Sequence, residues 1–337
     1  MRTLLITLTI VISQLSTLFA QGGVDPVYSQ FFSNALYLNP ALAGSHICPR
    51  LKLIRRAQWP GIPISYISNY LSYDQYHFGM EAGFGFSMAY DNLANGMLTN
   101  FSFSAAYSKK VNINKQWSFI GGLQGGWGIN QLNWDKLNFA DQLDYELGFV
   151  LPTSVPKPSY TSKQILDVNA GMVFEYRDQL YIGITGHHLT KPQIGFIPAD
   201  ESKLNRKFSA YISYVIPLQG LNNSNLGNTY EPSLSPSILY QRQGNFNNLL
   251  GGVYFAWYPF IGGLWFRHAV FNSDAIILLI GFEQKNFKIH YSFDYTFSRL
   301  TFGSSFGAHE VSFTWQFACP DYMKKRIKPI KCPSILK

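Results

Sequence analysis

Phe287–Phe297 reads FKIHYSFDYTF. Phe287, Ile289, Tyr291, Phe293, Tyr295 and Phe297 are apolar or aromatic, and Lys288, His290, Ser292, Asp294 and Thr296 alternate with them. The period is two residues, that of a strand, and not the 3.6 of a helix. The pattern returns near the C-terminus, where Val311, Phe313, Trp315 and Phe317 oppose Glu310, Ser312, Thr314 and Gln316. Each stretch is a strand with one apolar and one polar face. Such a strand fits either a water-soluble sheet over an apolar core or a bilayer-spanning barrel whose apolar face meets lipid.

Composition favours the barrel. Charged residues are 14% and aromatics 16% of the 337 residues, against about 25% charged in ordinary soluble domains. Tyr, Phe, Gly, Asn and Ser fill the deficit, as suits a wall with lipid outside and water inside. After the N-terminal segment the longest purely apolar run, Ala275 to Ile280, falls far short of the roughly 20 residues of a membrane helix. A membrane reading therefore requires a barrel.

Arg2, the apolar run Leu4 to Ile12 and Leu18-Phe19-Ala20-Gln21 read as a secretory signal cleaved after Ala20. The formal charge of +8 is concentrated in the tail, where Lys324, Lys325, Arg326, Lys328, Lys331 and Lys337 face only Asp321. The body is close to neutral, so the charge argues for a solvated or acidic-partner-docking tail and not for nucleic acid. Cys48, Cys319 and Cys332 lack metal-ligand spacing. Cys48 precedes the first strand and Cys319 follows the last, which puts them on one rim of a closed barrel. A Cys48–Cys319 bridge is expected there, with Cys319–Cys332 as the rival pairing.

Four segments follow: residues 1–20 as signal, 21–49 as an irregular periplasmic or plug segment, 50–318 as the barrel, and 319–337 as a basic periplasmic tail. Within the barrel, alternating stretches run Arg50–Trp59, Ile62–Tyr73, Met80–Tyr90, Met97–Ser108, Trp117–Asn130, Leu166–Tyr176, Leu180–Leu189, Arg206–Ile216, Ser233–Gln241, Leu249–Pro259, Gly263–Val270, Ala275–Gln284 and the two already quoted. That is about 14 strands, an even number that returns both ends to one side. With the first strand running outward, Asn133–Gln164, Lys191–Lys203 and Ser298–Ala308 become external loops, and Arg177-Asp178, Phe260-Ile261 and Lys285-Asn286 become periplasmic turns. The Asn-rich Gln219–Glu231 breaks this rule of short turns inside and long loops outside.

Catalytic chemistry finds no local motif. His187 and His188 are adjacent, so on a strand they point to opposite faces and cannot share a metal. His290 and Asp294 share a face about 14 Å apart, beyond hydrogen bonding. The glycines at 121, 122, 125, 126 and 128 lack the Lys and helix of a phosphate loop and are read as allowing curvature or aromatic neighbours. No enzyme activity, cofactor or metal is expected. Lys52, Arg56, Glu175, Arg177, Glu283, Asp294 and Glu310 are read as a charge network on the lumen face, with a pore lining as the other use.

Several segments together resemble the PorP/SprF family of outer-membrane proteins of the type IX secretion system. They are Asp25-Pro26, Ser29-Gln30-Phe31, Asn34, Leu36, Leu38-Asn39-Pro40-Ala41 and Ala43-Gly44-Ser45, then Arg56 with Gln58-Trp59, Tyr291–Thr296, Gly307–Glu310 and Cys332-Pro333. The Asn-rich stretch near 219–231 departs as an insertion, and Ser334-Ile335 departs from the basic and aromatic residues common after the tail's Cys-Pro. The resemblance implies a barrel in outer-membrane lipid that assists export or surface attachment of cargo, of the gliding-adhesin type. It implies contacts with periplasmic components of the machine or with cargo, made through Asp25, Pro26, Ser29, Gln30, Phe31, Asn39, Pro40 and Gly44 if that segment is not a plug. The alternative is a porin or FadL-like channel for small or lipidic solutes.

Overall fold

A computed structural model describes residues 25–46, 48–62, 65–196, 202–218, 232–269, 272–297 and 305–319. The expected signal, the Asn-rich stretch Gln219–Glu231 and the basic tail with Cys332 lie outside the described residues.

The described residues form fourteen wall strands. They are β1 (Arg50–Gln58), β2 (Tyr66–His77), β3 (Ala82–Leu93), β4 (Leu98–Asn112), β5 (Trp117–Leu132), β6 (Ser162–Tyr176), β7 (Leu180–His187) and β8 (Lys207–Tyr214), followed by β9 (Ser233–Gln243), β10 (Phe246–Trp257), β11 (Phe260–Ala269), β12 (Asn272–Glu283), β13 (Phe287–Thr296) and β14 (Ala308–Gln316). Beyond Val215, β8 resumes as Ile216–Pro217 against β9. Each strand pairs antiparallel with the next, and β14 pairs with β1 from Arg50↔Gln316 to Gln58↔Ala308. The sheet is therefore a closed fourteen-stranded barrel, as the alternation predicts, with no free edge to satisfy. Among the described residues no helix is long and apolar enough to cross a membrane.

Alternation sets the two faces. In β13, His290, Ser292, Asp294 and Thr296 are buried while Ile289, Tyr291 and Tyr295 are exposed. Strand β8 repeats this residue by residue, with Phe208 and Ile212 out and Ser209 and Ser213 in. Phe86, Met88, Leu264, Leu278 and Ile280 also face outward, giving the apolar band that a hydrocarbon layer requires. Arg55, which breaks the pattern in β1, points outward and donates to Asn69 Oδ1 at 3.2 Å.

The strands joined by the long connections 133–161, 188–206 and 297–307 meet them at one end of the barrel, and the short turns at 177–179, 258–259 and 284–286 lie at the other. The β10–β11 turn is Tyr258-Pro259, not the expected Phe260-Ile261, which instead open β11 with Phe260 opposite Trp257. Pro259 has no N–H to give a ladder, so the turn settles on it.

The lumen holds a plug. Residues 25–46 enter it as an irregular segment with one four-residue helix, α1 (Ala35–Leu38), and a 3₁₀ turn at Pro40–Leu42. Phe31, Phe32, Ala35, Leu38, Ala41 and Leu42 are buried among inward-facing Tyr211, Leu239, Leu250, Tyr254, Trp265, Ile277 and Leu279 of β8–β12. The core of the protein lies between plug and wall, and this sector of the lumen face is apolar rather than wet. Phe31 meets the Trp265 ring edge-on at 5.1 Å and Phe32 meets Tyr254 at 5.9 Å, geometries that stabilise aromatic pairs beyond their burial.

Candidate functional site

Three wall devices hold the plug, and each takes a different part of the segment that the sequence singles out.

The first grips Ser29 and Gln30. Inward-facing Arg56 (β1), Arg267 (β11), Asp294 (β13) and Glu310 (β14) converge near the long-loop end. Arg56 places Nη2 at 2.8 Å from Asp294 Oδ2 and Nη1 at 3.1 Å from Glu310 Oε2, and Arg267 Nη2 lies 2.9 Å from Asp294 Oδ2. Ser29 Oγ donates to Asp294 at 2.7 Å and accepts from Arg56 Nη1 at 2.8 Å. The backbone N–H groups of Ser29 and Gln30 donate to the two Glu310 carboxylate oxygens at 2.8 and 3.0 Å. The Gln30 amide donates to Ser292 Oγ and Glu310 O, and its oxygen accepts from Ser312 Oγ at 2.6 Å. Asp294 and Glu310 are fully buried, so carboxylates left unpaired here would be costly; two guanidinia and two backbone amides offset that cost.

The second device is a belt of small residues near the short-turn end. Gly83 (β3), Ser108 (β4), Gly122 (β5) and Gly171 (β6) are successive cross-strand partners, a row running around a quarter of the wall. The Asn39–Gly44 backbone lies directly on it. A Cβ at Gly83 would stand 2.0 Å from Ala43 O, one at Gly122 would stand 2.2 Å from Ala41 N, and one at Gly171 would stand 2.1 Å from Asn39 Oδ1. Ser108 Oγ donates to Ala43 O at 2.7 Å. Asn39 uses its side-chain oxygen to accept from Ala41 N at 2.9 Å, and its Nδ2 reaches Met172 O and Ile184 O. Gly44, at φ +58, turns the chain where a Cβ would strike Gln75 O and Gly83 Cα. Gly122 is thus kept bare by a passing backbone rather than by curvature or an aromatic neighbour.

The third device is a latch on Asp25. Asp25 Oδ2 lies 2.9 Å from His188 Nε2 and 3.5 Å from Lys207 Nζ, and His188 Nδ1 lies 2.8 Å from Asp167 Oδ2. His188 sits just past β7 at φ +55, which turns its ring back into the lumen beside that of His187, so the two histidines are not on opposite faces of a strand. Burial works against both charges. The charges of His188 and Lys207 nevertheless hold the Asp25 carboxyl well below the usual carboxylate range, and the carboxylates of Asp25 and Asp167 push His188 up to about 10.

Of the expected lumen network, Arg56, Asp294 and Glu310 come together. Lys52 instead donates to Ser33 O at 3.2 Å, and Glu175 pairs with Lys110 at 2.8 Å nearer the short-turn end. Glu283 pairs with Lys288 and His290. Arg177 does not face the lumen: it occupies the turn after β6 at φ +49, exposed, with its guanidinium 5.1 Å from the Tyr176 ring centre. Turn geometry overrides the strand alternation that placed it inside. Of the segment expected to bind a partner or plug the lumen, Pro26, Ser29, Gln30, Phe31, Asn39, Pro40 and Gly44 are buried inside the barrel and Asp25 is half-buried. Arg267 and Lys207 went unrecognised in the sequence because nothing local distinguishes them. Cys48 and Cys319 are joined by a disulfide with Cα atoms 4.9 Å apart, tying the end of the plug to the residue row just past β14.

A family model described as "Type IX secretion system membrane protein PorP/SprF" matches residues 20–315. No curated protein matches the chain. Among solved structures, a TodX monoaromatic hydrocarbon channel mutant is 10% identical over 84% of this chain and 94% of its own, with a TM-score of 0.48. The CymD monoaromatic hydrocarbon channel is 11% identical over 88% and 95%, at 0.47. Acinetobacter baumannii Omp33 is 7% identical over 81% and 100%, at 0.44. At these identities and scores nothing about transport follows from them.

Proposed function

We propose, on the premise that the chain belongs to the PorP/SprF family of type IX secretion system membrane proteins, that it is a plugged outer-membrane scaffold that assists export or surface attachment of cargo, and not a conduit or an enzyme. The observation that carries this reading is the placement of the family-like segments. Asp25-Pro26, Ser29-Gln30-Phe31 and Asn39-Pro40-Ala41 are spent on holding the plug inside the wall, so the segments that characterise the chain serve to occupy the lumen. Contact with other proteins then falls to the rims.

In this reading the long-loop end faces outward, since external loops of such barrels are the longer ones. The connection between β5 and β6 presents Tyr145, Leu147, Phe149 and Val150 to solvent. It is nonetheless built to a fixed shape: Asp144 Oδ1 accepts from the backbone N–H groups of Glu146 and Leu147, and Asp141 accepts from Thr153 and Ser154. An ordered apolar tip of this kind suits contact with exported protein. The disulfide holds Cys319 at the opposite rim, and in this reading the basic sequence that follows it serves contact with periplasmic parts of the machine.

Deleting the gene is expected to block secretion or surface attachment of particular cargo, and re-expression of the chain with residues 135–160 replaced by a short turn is expected not to restore it. Normal secretion with altered uptake of small solutes in the deletion strain would overturn this reading in favour of a channel.

A further inference from the structure

A cavity of about 120 Å³ lies in the lumen toward the long-loop end, between the plug and β2–β6. Asp25, Tyr37, Tyr70, Asp91, Asn100, Gln124, Asn169 and the two histidines of the latch are among the residues that line it. Asp91 (β3) and Asn100 (β4) are cross-strand partners on its wall side, and Asn130 (β5), next in the row, faces inward without lining the cavity. Neighbouring strands stand about 4.8 Å apart, and an inward-curving wall brings such side chains closer still.

Each of the three residues keeps one buried side-chain oxygen without a hydrogen-bond partner: Asp91 Oδ1, Asn100 Oδ1 and Asn130 Oδ1. Asp91 itself is only 4% exposed. The surrounding cations are committed elsewhere. Arg56, two strands along the same row, gives its terminal nitrogens to Asp294 and Glu310. Lys207 and His188 are held by Asp25, and His188 also by Asp167. Among the described residues Asp91 enters no ion pair; the Ser68 hydroxyl hydrogen-bonds it, which does not neutralise a buried carboxylate.

The geometry points to a binding site for a small primary ammonium group at Asp91 and Asn100. An ammonium is all donor, with three N–H groups and no acceptor. Asp91 Oδ1 and Asn100 Oδ1 offer it two open acceptors, and the Asp91 carboxylate offers the opposite charge. Tyr37 and Tyr70 line the same cavity with aromatic rings, surfaces that favour a nearby cation. The volume admits the head of a small amine rather than a bulky cation.

Methylammonium is the probe, used with the full chain in detergent. Saturation-transfer NMR is expected to show binding through its methyl protons, and rising concentrations are expected to raise the thermal unfolding midpoint to a plateau. Tetramethylammonium, with the same charge and no N–H, and sodium are expected to do neither at equal ionic strength. Asp91→Asn is expected to weaken binding roughly tenfold or more, in line with the loss of a charge-assisted bond. Heat-modified gel mobility verifies that this variant is folded, and Asn100→Ala, which leaves the charge in place, is expected to weaken binding by a smaller factor. Absence of saturation transfer in the native chain, equal binding of tetramethylammonium or sodium, or unchanged binding in both variants would each overturn the assignment and leave these oxygens to water.

Discussion

Arg56 on β1 and Asp294 on β13 meet at 2.8 Å although β14 lies between their strands. The pair arches over the inner face of the seam, and Glu310 of β14 stands beneath it, directly opposite Arg56 in the ladder. Removing one member leaves buried charge uncompensated, a loss of roughly 3–5 kcal/mol. Asp294→Asn is expected to lower clearly the temperature at which the barrel loses its folded gel mobility. Lys109→Met, which removes an exposed pair with Glu81 at 3.5 Å, is expected to change it little, because exposed pairs contribute about 0–1 kcal/mol. Equal effects would contradict the clamp.

The small-residue belt makes a prediction about the plug rather than the wall. Gly122→Val puts side-chain atoms where Ala41 N now sits, 2.2 Å from the added Cβ position. The wall is held by ladders on both sides, so the plug is the part that yields. Ion conductance in planar bilayers is expected to rise in Gly122→Val and to stay at the native level in Gly125→Val, whose added Cβ would have nothing within 4 Å. Matching conductance in the two variants would count against a plug seated on the belt.

The Cys48–Cys319 bridge closes a loop of sequence separation 271. By chain entropy such a link stabilises by up to roughly 5 kcal/mol, less where the unfolded chain stays compact. Cys48→Ser with Cys319→Ser is expected to lower the urea midpoint of unfolding. Reductant is expected to lower the native midpoint to the same value and to leave that of the variant unchanged.

Protonation of the latch carries a definite sign. His188, raised from 6.5 to about 10, contributes stability that is full below pH 6.5 and is lost as pH climbs through 10. Asp25, depressed below its ordinary 3.8, contributes above that value and loses its contribution as pH falls through the depressed one. The latch is therefore strongest between about pH 4 and 6.5 and persists at neutrality. Proton NMR of the His188 ring, assigned with His188→Gln, is expected to titrate well above 6.5 in the native chain. Asp25→Asn is expected to move the midpoint down by about a unit or more. A native midpoint near 6.5 would rule out the charged latch.

Much of the wall was legible because alternation acts locally: Tyr291 and Asp294 are assigned to opposite faces by parity alone, and the structure keeps them there. Turns were less legible where a single residue decides them, as Pro259 and Arg177 show. The plug's grip was hidden for a different reason. Nothing near Ser29 in the chain announces Glu310, which is 281 residues away, and Arg267 looks like any other strand arginine. Gly122 carried a visible signal, an unusual glycine density in β5, but its cause is a backbone from another part of the chain.

The clamp on Ser29 and Gln30 also bears on how the molecule is made. Its grip is completed by Glu310 on the last strand, Asp294 on the strand before it and Arg56 on the first. The earliest described residues of the chain therefore wait for the latest ones. During biogenesis the N-terminal segment has to remain inside an incomplete cylinder until the final hairpin arrives, and sealing the cylinder and seating its contents become a single cooperative event.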